Sequence, residues 1–125
     1  MSERTPVAEV SSMVASAREA GLWPRRAALF HDLDRLDARL DELRDAFPDD
    51  TLHAIAIKAN PLVALLQRMV ARGAGLEAAS WEEVACALAA GCPPARIVFD
   101  SPAKTEDELR QALALGVHLN ADNAD

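Results

Sequence analysis

Short apolar runs alternate with longer amphipathic stretches along most of this chain. The apolar runs are 27–30, 52–57, 76–79, 97–99 and 117–119, and their starts are spaced by roughly 20 to 25 residues. The stretches between them carry apolar residues at the three- and four-residue spacing of one helix face. Short strands that alternate with helices are typical of a parallel sheet, in which each helix is the crossover between two strands. The pattern therefore predicts an α/β fold.

Helix start and stop signals stand between these stretches. Asn60-Pro61 predicts an N-cap residue followed by a proline at the first helical position. Ser80 with Glu83, and Thr105 with Glu108, have the Ser/Thr-x-x-Glu spacing of a capping box. A glycine also separates each of the last three helical stretches from the next strand, where a left-handed residue commonly ends a helix. These glycines are Gly73, Gly91 and Gly116.

The number of repeated units limits the possible architectures. We predict an N-terminal helix over 7–20, a connector over 23–26, and then about four strand–helix units with a fifth strand at 117–121. An eight-fold βα barrel needs about 250 residues. The 125 residues therefore fit either a small open α/β domain or part of a barrel, and periodicity alone leaves both open.

Composition and charge argue against several classes of function. The formal net charge of −7 disfavours nucleic acid and anionic membranes as main partners, because both attract a basic surface. No apolar run approaches the roughly 20 residues that span a bilayer, and we expect no signal peptide. Cys86 and Cys92 predict reduced thiols in a cytoplasmic protein. No metal site is predicted, since the three histidines lack ligand partners at suitable spacing; they are His31, His53 and His118.

Lys58 is the strongest candidate for chemistry. It stands at the end of the apolar segment 53–58, and functional groups of α/β proteins gather at the carboxyl ends of parallel strands. A lysine amine at such a place can form a Schiff base with a carbonyl compound. A lysine that simply marks the exit of a strand into solvent is the alternative that position alone leaves open.

A family resemblance bears on this alternative. The segment His53-Ala-Ile-Ala-Ile-Lys-Ala-Asn-Pro61 resembles the cofactor-lysine motif of the pyridoxal-phosphate-dependent decarboxylases of diaminopimelate, ornithine or arginine. That group shares its barrel with alanine racemase. Four further segments resemble the family's other strands in the same order, and these are 29–34, 75–83, 97–105 and 118–122. The resemblance runs from about residue 27 to the end and corresponds to roughly the first third of a family member.

The resemblance implies both fold and chemistry. Residues 27–125 are then the N-terminal half of a (β/α)8 TIM-type barrel that binds pyridoxal 5'-phosphate (PLP), after an N-terminal helix and connector in 1–26. Lys58 carries PLP as a Schiff base, and an amino acid substrate loses its carboxylate as carbon dioxide. Glu77 takes a position where the family usually has an aspartate near the cofactor. Lys104 also has a family counterpart, but we favour a loop or capping role for it.

The resemblance also leaves alternatives. Racemases and cofactor carriers of the same barrel are the alternatives within the PLP class. Racemases typically have an aromatic residue and a glycine after the lysine motif. The segment Pro61-Leu-Val63 stands there in this chain and favours the decarboxylases. In the family, the phosphate-binding loop, the acidic partner of the pyridine nitrogen and a second domain come from later segments. We therefore expect the 125 residues alone to be incomplete and inactive, and the full-length enzyme to be a homodimer. The non-enzymatic alternative is a half-barrel module that associates through its exposed sheet edges for binding or regulation.

Overall fold

A computed structural model describes residues 7–22 and 27–121. The chain divides into two compact units, Met1–Leu33 and Asp34–Asp125. The first unit contains α1, Val7–Glu19, which ends close to Gly21 as predicted. The predicted connector at 23–26 lies outside the described residues. Asp122, the last residue of the segment that resembles the family's fifth strand, also lies outside them. The domain boundary at residue 26 stays a prediction.

The rest of the described chain alternates helices and strands as predicted. In chain order the elements are α2 (Leu33–Asp45), β1 (Ala54–Ala56), α3 (Val63–Ala71), β2 (Gly75–Ala78), α4 (Trp81–Ala89), β3 (Ile97–Phe99), α5 (Glu106–Leu115) and β4 (His118–Leu119). Two short 3-10 helices, Ile57–Ala59 and Pro94–Arg96, follow β1 and precede β3. The four strands form one parallel sheet in the order β1-β2-β3-β4. None of the described helices is long and apolar enough to cross a membrane.

The two faces of this sheet are buried to different extents. Leu76 and Ile97 are register partners and are fully buried, together with residues of α3, α4 and α5. Alternate residues of a strand point to opposite faces, so Ala56, Glu77 and Val98 share the other face, where each is only partly buried. Helices therefore cover one face of the sheet. We call the opposite face, which carries Glu77, the open face.

Local signals placed most helix ends correctly. Thr105 and Glu108 form a complete capping box at the start of α5. The Ser80 hydroxyl accepts a hydrogen bond from the Glu83 N–H at 3.3 Å, but the Glu83 carboxylate accepts from the N–H of Ala79. The three predicted helix-ending glycines all have left-handed backbones, with φ between 78° and 88°.

Two predictions about local structure are wrong. Residues 27–30 were predicted as a strand but have no regular secondary structure. A strand forms only where its backbone groups find a paired partner, and all strands of the described sheet lie within 54–119. The N-cap of α3 is Leu62 and not Asn60. Asn60 instead ends the 3-10 helix that follows β1, and its side-chain oxygen accepts a hydrogen bond from the Leu62 N–H at 3.2 Å.

Candidate functional site

Lys58 lies at the carboxyl edge of the sheet, as predicted. It is the middle residue of the 3-10 helix that directly follows β1. Ile57 before it is fully buried in the core, and the N–H of Asn60 donates to the Ile57 carbonyl at 2.9 Å. The turn is therefore anchored on its inner side. The Lys58 side chain extends outward and is 64% exposed, which leaves its amine accessible to a reactant.

Glu77 lies on β2 next to this turn. It is the register partner of Ala56 on β1 and of Val98 on β3, so it projects from the middle of the open face. Its side chain is only 15% exposed. Oε1 of Glu77 is buried and receives no hydrogen bond from the part of the chain that the structure describes. Because buried polar atoms are normally paired, an unpaired carboxylate oxygen requires a specific explanation.

The structure brings the two predicted site residues together. Lys58 Nζ lies 3.9 Å from Glu77 Oε1. That distance allows electrostatic attraction but exceeds the range of a charge-assisted hydrogen bond. The parallel register causes the approach, because the pairing of Ala56 with Glu77 sets the start of the Lys58 turn beside β2. The result is an accessible amine next to a carboxylate that can still accept a hydrogen bond.

This pair suits a cofactor that carries an aldehyde and a hydrogen-bond donor, in two respects. An exposed lysine amine can attack an aldehyde, and the open hydrogen-bond capacity of Glu77 Oε1 can receive a donor from a bound group. The loops that follow the four strands contain one further lysine in their described residues, Lys104. The turn after β1 therefore supplies the attachment amine, and β2 supplies an acidic neighbour.

Lys104 has a different role from Lys58. Its Nζ donates to the backbone carbonyl of Asn120 at 2.7 Å and to that of Ser101. It also lies 5.7 Å from the centroid of the Phe99 ring. Lys104 therefore ties the loop after β3 to the end of β4. This agrees with the favoured structural interpretation of Lys104, although the contact is an interstrand link and not a helix cap.

The remaining titratable candidates are dispersed. His118 Nε2 donates a hydrogen bond to the Ala95 carbonyl at 2.9 Å, and the His53 ring packs edge-on against Phe47 with centroids 5.2 Å apart. Both cysteines are free thiols, and burial raises the pKa of Cys92. His31 is exposed. No three metal-binding side chains come together among residues 7–22 and 27–121.

One charged cluster was missed by the sequence analysis. Arg68 on α3 donates two hydrogen bonds to Asp37 on α2, both at 2.9 Å, and the next turn pairs Arg72 with Asp41. The hydrogen bond from Arg68 holds the pKa of Asp37 below its usual value. The i, i+4 spacing of the two acids and of the two arginines was the available signal, since such residues share a helix face.

Comparisons with known proteins show which family the chain resembles. The sequence profile described as "Pyridoxal-dependent decarboxylase, pyridoxal binding domain" matches residues 33–125. The chain is 43% identical over 67 residues to diaminopimelate decarboxylase of Zymomonas mobilis, which covers 54% of this chain and 16% of that protein. It is 38% identical over 92 residues to diaminopimelate decarboxylase of Deinococcus radiodurans, which covers 74% of this chain and 24% of that protein.

A solved structure shares the fold. The lysine/ornithine decarboxylase of Vibrio vulnificus, complexed with putrescine, superimposes with a TM-score of 0.73 and 26% identity, over 97% of this chain and 32% of that one. The predicted fold class, part of a (β/α) barrel, is confirmed. The chain spans less than a third of each of these relatives.

Proposed function

We propose, from the premise that this chain belongs to the pyridoxal-dependent decarboxylase family and lies in its pyridoxal binding domain, that Lys58 is the attachment residue for PLP. The observation that carries the proposal is the exposed Lys58 amine at the carboxyl edge of the sheet, 3.9 Å from a buried, unpaired oxygen of Glu77. PLP, when bound, accepts the electron pair that remains when the α-carboxylate of an amino acid leaves as carbon dioxide.

Lys58 and Glu77 have complementary tasks in this proposal. Lys58 holds the cofactor covalently through its amine, in a Schiff base. The backbone of Glu77 is paired on both sides and its side chain is mostly buried, so its carboxylate is more restricted than the exposed Lys58 side chain. Its negative charge attracts the lysine ammonium toward the open face, and its free oxygen accepts a hydrogen bond from a cationic group held there.

The whole enzyme's activity extends this proposal. We infer decarboxylation of an amino acid of the diaminopimelate, ornithine or arginine type, in a homodimeric full-length protein. The 125 residues alone are then inactive, because the matched relatives are more than three times as long as the aligned region and the open face lacks a helical cover in the described part of the chain. A cytoplasmic location stays a prediction.

Cofactor attachment can be tested directly on this chain. The purified chain is incubated with PLP, reduced with borohydride and digested, and the modified amines are located by mass spectrometry. With two lysines in the sequence, Lys104 and the N-terminal amine are internal controls. We expect Lys58 to be labelled first and Glu77→Gln to slow that labelling. The same chain in denaturing urea should lose the selectivity.

Two outcomes contradict the proposal. Equal, slow labelling of Lys58, Lys104 and the N-terminus indicates ordinary amine reactivity without a formed site. Release of carbon dioxide from ornithine or diaminopimelate by the 125-residue chain would instead contradict its inactivity. A chain that shows no selective labelling but forms a stable dimer supports the alternative of an interaction module.

A further inference from the structure

A cleft of about 310 Å³ lies at the amino-terminal edge of the sheet. It is enclosed by the second half of α2 and by the residues that directly precede β1, β2 and β3. Because the four strands are parallel, this edge is opposite to the one that carries Lys58. The volume is at the lower end of the roughly 300 to 1,000 Å³ of small-molecule sites, so the cleft suits a compact ligand.

The charge of this cleft is opposite to that of the whole chain. Its lining includes Arg44 from α2, Arg72 from the end of α3 and Arg96 from the turn before β3, but Asp49 is its one acidic side chain. The chain as a whole carries a formal charge of −7. Three guanidinium groups from three separate elements therefore converge on one small concave surface. Such local reversal of charge favours an anion.

The guanidinium groups are only partly neutralised by the protein. Arg72 binds Asp41 and lies 3.9 Å from a carboxylate oxygen of Asp37, yet its Nε is buried and has no hydrogen-bond partner in the described part of the chain. Arg44 contacts the same Asp41 carboxylate at 2.8 Å and lies 4.0 Å from Asp45. Arg96 donates to the carbonyl of Gly73 and takes part in none of the ion pairs found among the described residues. One guanidinium offers five N–H donors, so Arg96 in particular keeps donors for a ligand.

We propose that this cleft binds a compact phosphate-class dianion, either inorganic phosphate or the phosphate group of a small metabolite. Guanidinium groups recognise phosphate oxygens through paired, charge-assisted hydrogen bonds. The Thr51 hydroxyl on the same wall adds a neutral donor. The proposal is independent of the proposed function of Lys58, because the two sites share no residue and lie at opposite edges of the sheet.

Titration calorimetry on the full chain tests the site with inorganic phosphate and, in a second arm, glycerol 3-phosphate. We expect saturable binding of one equivalent of phosphate, and Arg96→Gln should weaken it by about tenfold to a hundredfold, as expected for lost hydrogen bonds to a charged group. Tighter binding of glycerol 3-phosphate than of inorganic phosphate would indicate a metabolite as the ligand. The control is Arg110→Gln, since Arg110 pairs with Glu106 and Asp107 on α5, outside the cleft.

Further variants separate this site from the cofactor site and from misfolding. Lys58→Ala should leave phosphate binding unchanged, because an effect would place the phosphate at the opposite edge. If Arg96→Gln unfolds, Arg44→Gln replaces it, since the Arg44 side chain is 56% exposed. Absence of saturable phosphate binding, or equal affinity of the Arg44, Arg96 and Arg110 variants, would overturn the proposal.

Discussion

Two pairs of oppositely charged side chains in this molecule differ in how completely their hydrogen-bonding groups are paired. Between α2 and α3, Arg68 contacts Asp37 through two hydrogen bonds of 2.9 Å each. At the carboxyl edge of the sheet, Lys58 stays 3.9 Å from Glu77, and a buried oxygen of that glutamate has no described hydrogen-bond partner. The first pair has the bidentate geometry that fixes two side chains. The second leaves an amine free and a carboxylate open.

The difference separates a contact that stabilises the fold from one that is available for chemistry. The planar guanidinium of Arg68 matches both carboxylate oxygens, whereas a lysine ammonium is a point charge on a flexible chain. A ligand that inserts between Arg68 and Asp37 would break existing hydrogen bonds. A ligand that binds between Lys58 and Glu77 would form new ones, so the Lys58–Glu77 pair is the one expected to change its partners on binding.

Replacing Lys58 should give the largest functional effect. Lys58→Met is expected to abolish selective labelling by PLP and borohydride, because it removes the attachment amine. The free energy of unfolding should change by no more than about 1 kcal/mol, because the lost attraction to Glu77 acts over 3.9 Å from an exposed side chain. Mass spectrometry and urea denaturation measure the two effects separately.

Lys104→Met is the matched control for this variant. Lys104 donates to two backbone carbonyls, so its loss should lower the free energy of unfolding by about 1 to 3 kcal/mol while Lys58 labelling persists. If both lysine variants lost the label equally, the distinction between an attachment residue and an interstrand link would be wrong.

The Asp37 pair should give a pH-dependent effect on stability. The pKa of Asp37 is lowered in the folded chain from an ordinary value of 3.8, chiefly by its hydrogen bond with Arg68. A lowered carboxyl pKa stabilises the fold above the unfolded pKa, and this stabilisation is lost as the pH falls through the folded pKa. Asp37→Asn should therefore lower the urea midpoint at pH 7, and the difference from the parent chain should shrink below pH 3.8. A difference that is constant with pH would contradict the ion pair.

Sequence reasoning succeeded where the determinants are local. The capping box at Thr105 and the left-handed glycines after α3, α4 and α5 depend on residues within one turn, and the structure confirms both. These signals located the helices and hence the strand ends. Lys58 was placed at the end of a strand by the apolar segment 53–58, and not by the adjacent Asn60-Pro61 cap signal, which was wrong.

Sequence reasoning failed where partners are distant in the chain. The strand predicted at 27–30 depended on apolar character alone, and no signal within those residues shows whether a pairing strand exists. The 3.9 Å approach of Lys58 to Glu77 depends on the register of β1 with β2, which helix caps do not set. The arginine cleft draws on α2, α3 and the turn before β3, so no single segment indicates it.

Removal of the Glu77 carboxylate should change the free energy of unfolding in the opposite direction to removal of the Asp37 carboxylate. Glu77→Met keeps most of the side-chain volume but eliminates a buried oxygen that lacks a described partner. We expect the free energy of unfolding to stay unchanged or rise by up to about 1 kcal/mol, because burial of an unpaired polar group is unfavourable. Selective labelling of Lys58 should decrease in the same variant. A clear loss of stability in urea denaturation would show that Glu77 belongs to the structural pairs.

Substitution of Glu108 in the capping box of α5 should have the smallest effect on stability. Its pKa is lowered from an ordinary value of 4.5, first by the hydrogen bond from the Thr105 backbone N–H. Glu108→Gln keeps an oxygen that can accept this bond, so only the charge-dependent part of the stabilisation is lost. We expect a slightly lower urea midpoint at pH 7 than in the parent chain, and the difference should vanish as the pH falls through the folded pKa of Glu108. Equal pH dependence of the Glu108→Gln and Asp37→Asn effects would mean that a single cap contributes as much as a bidentate ion pair between helices.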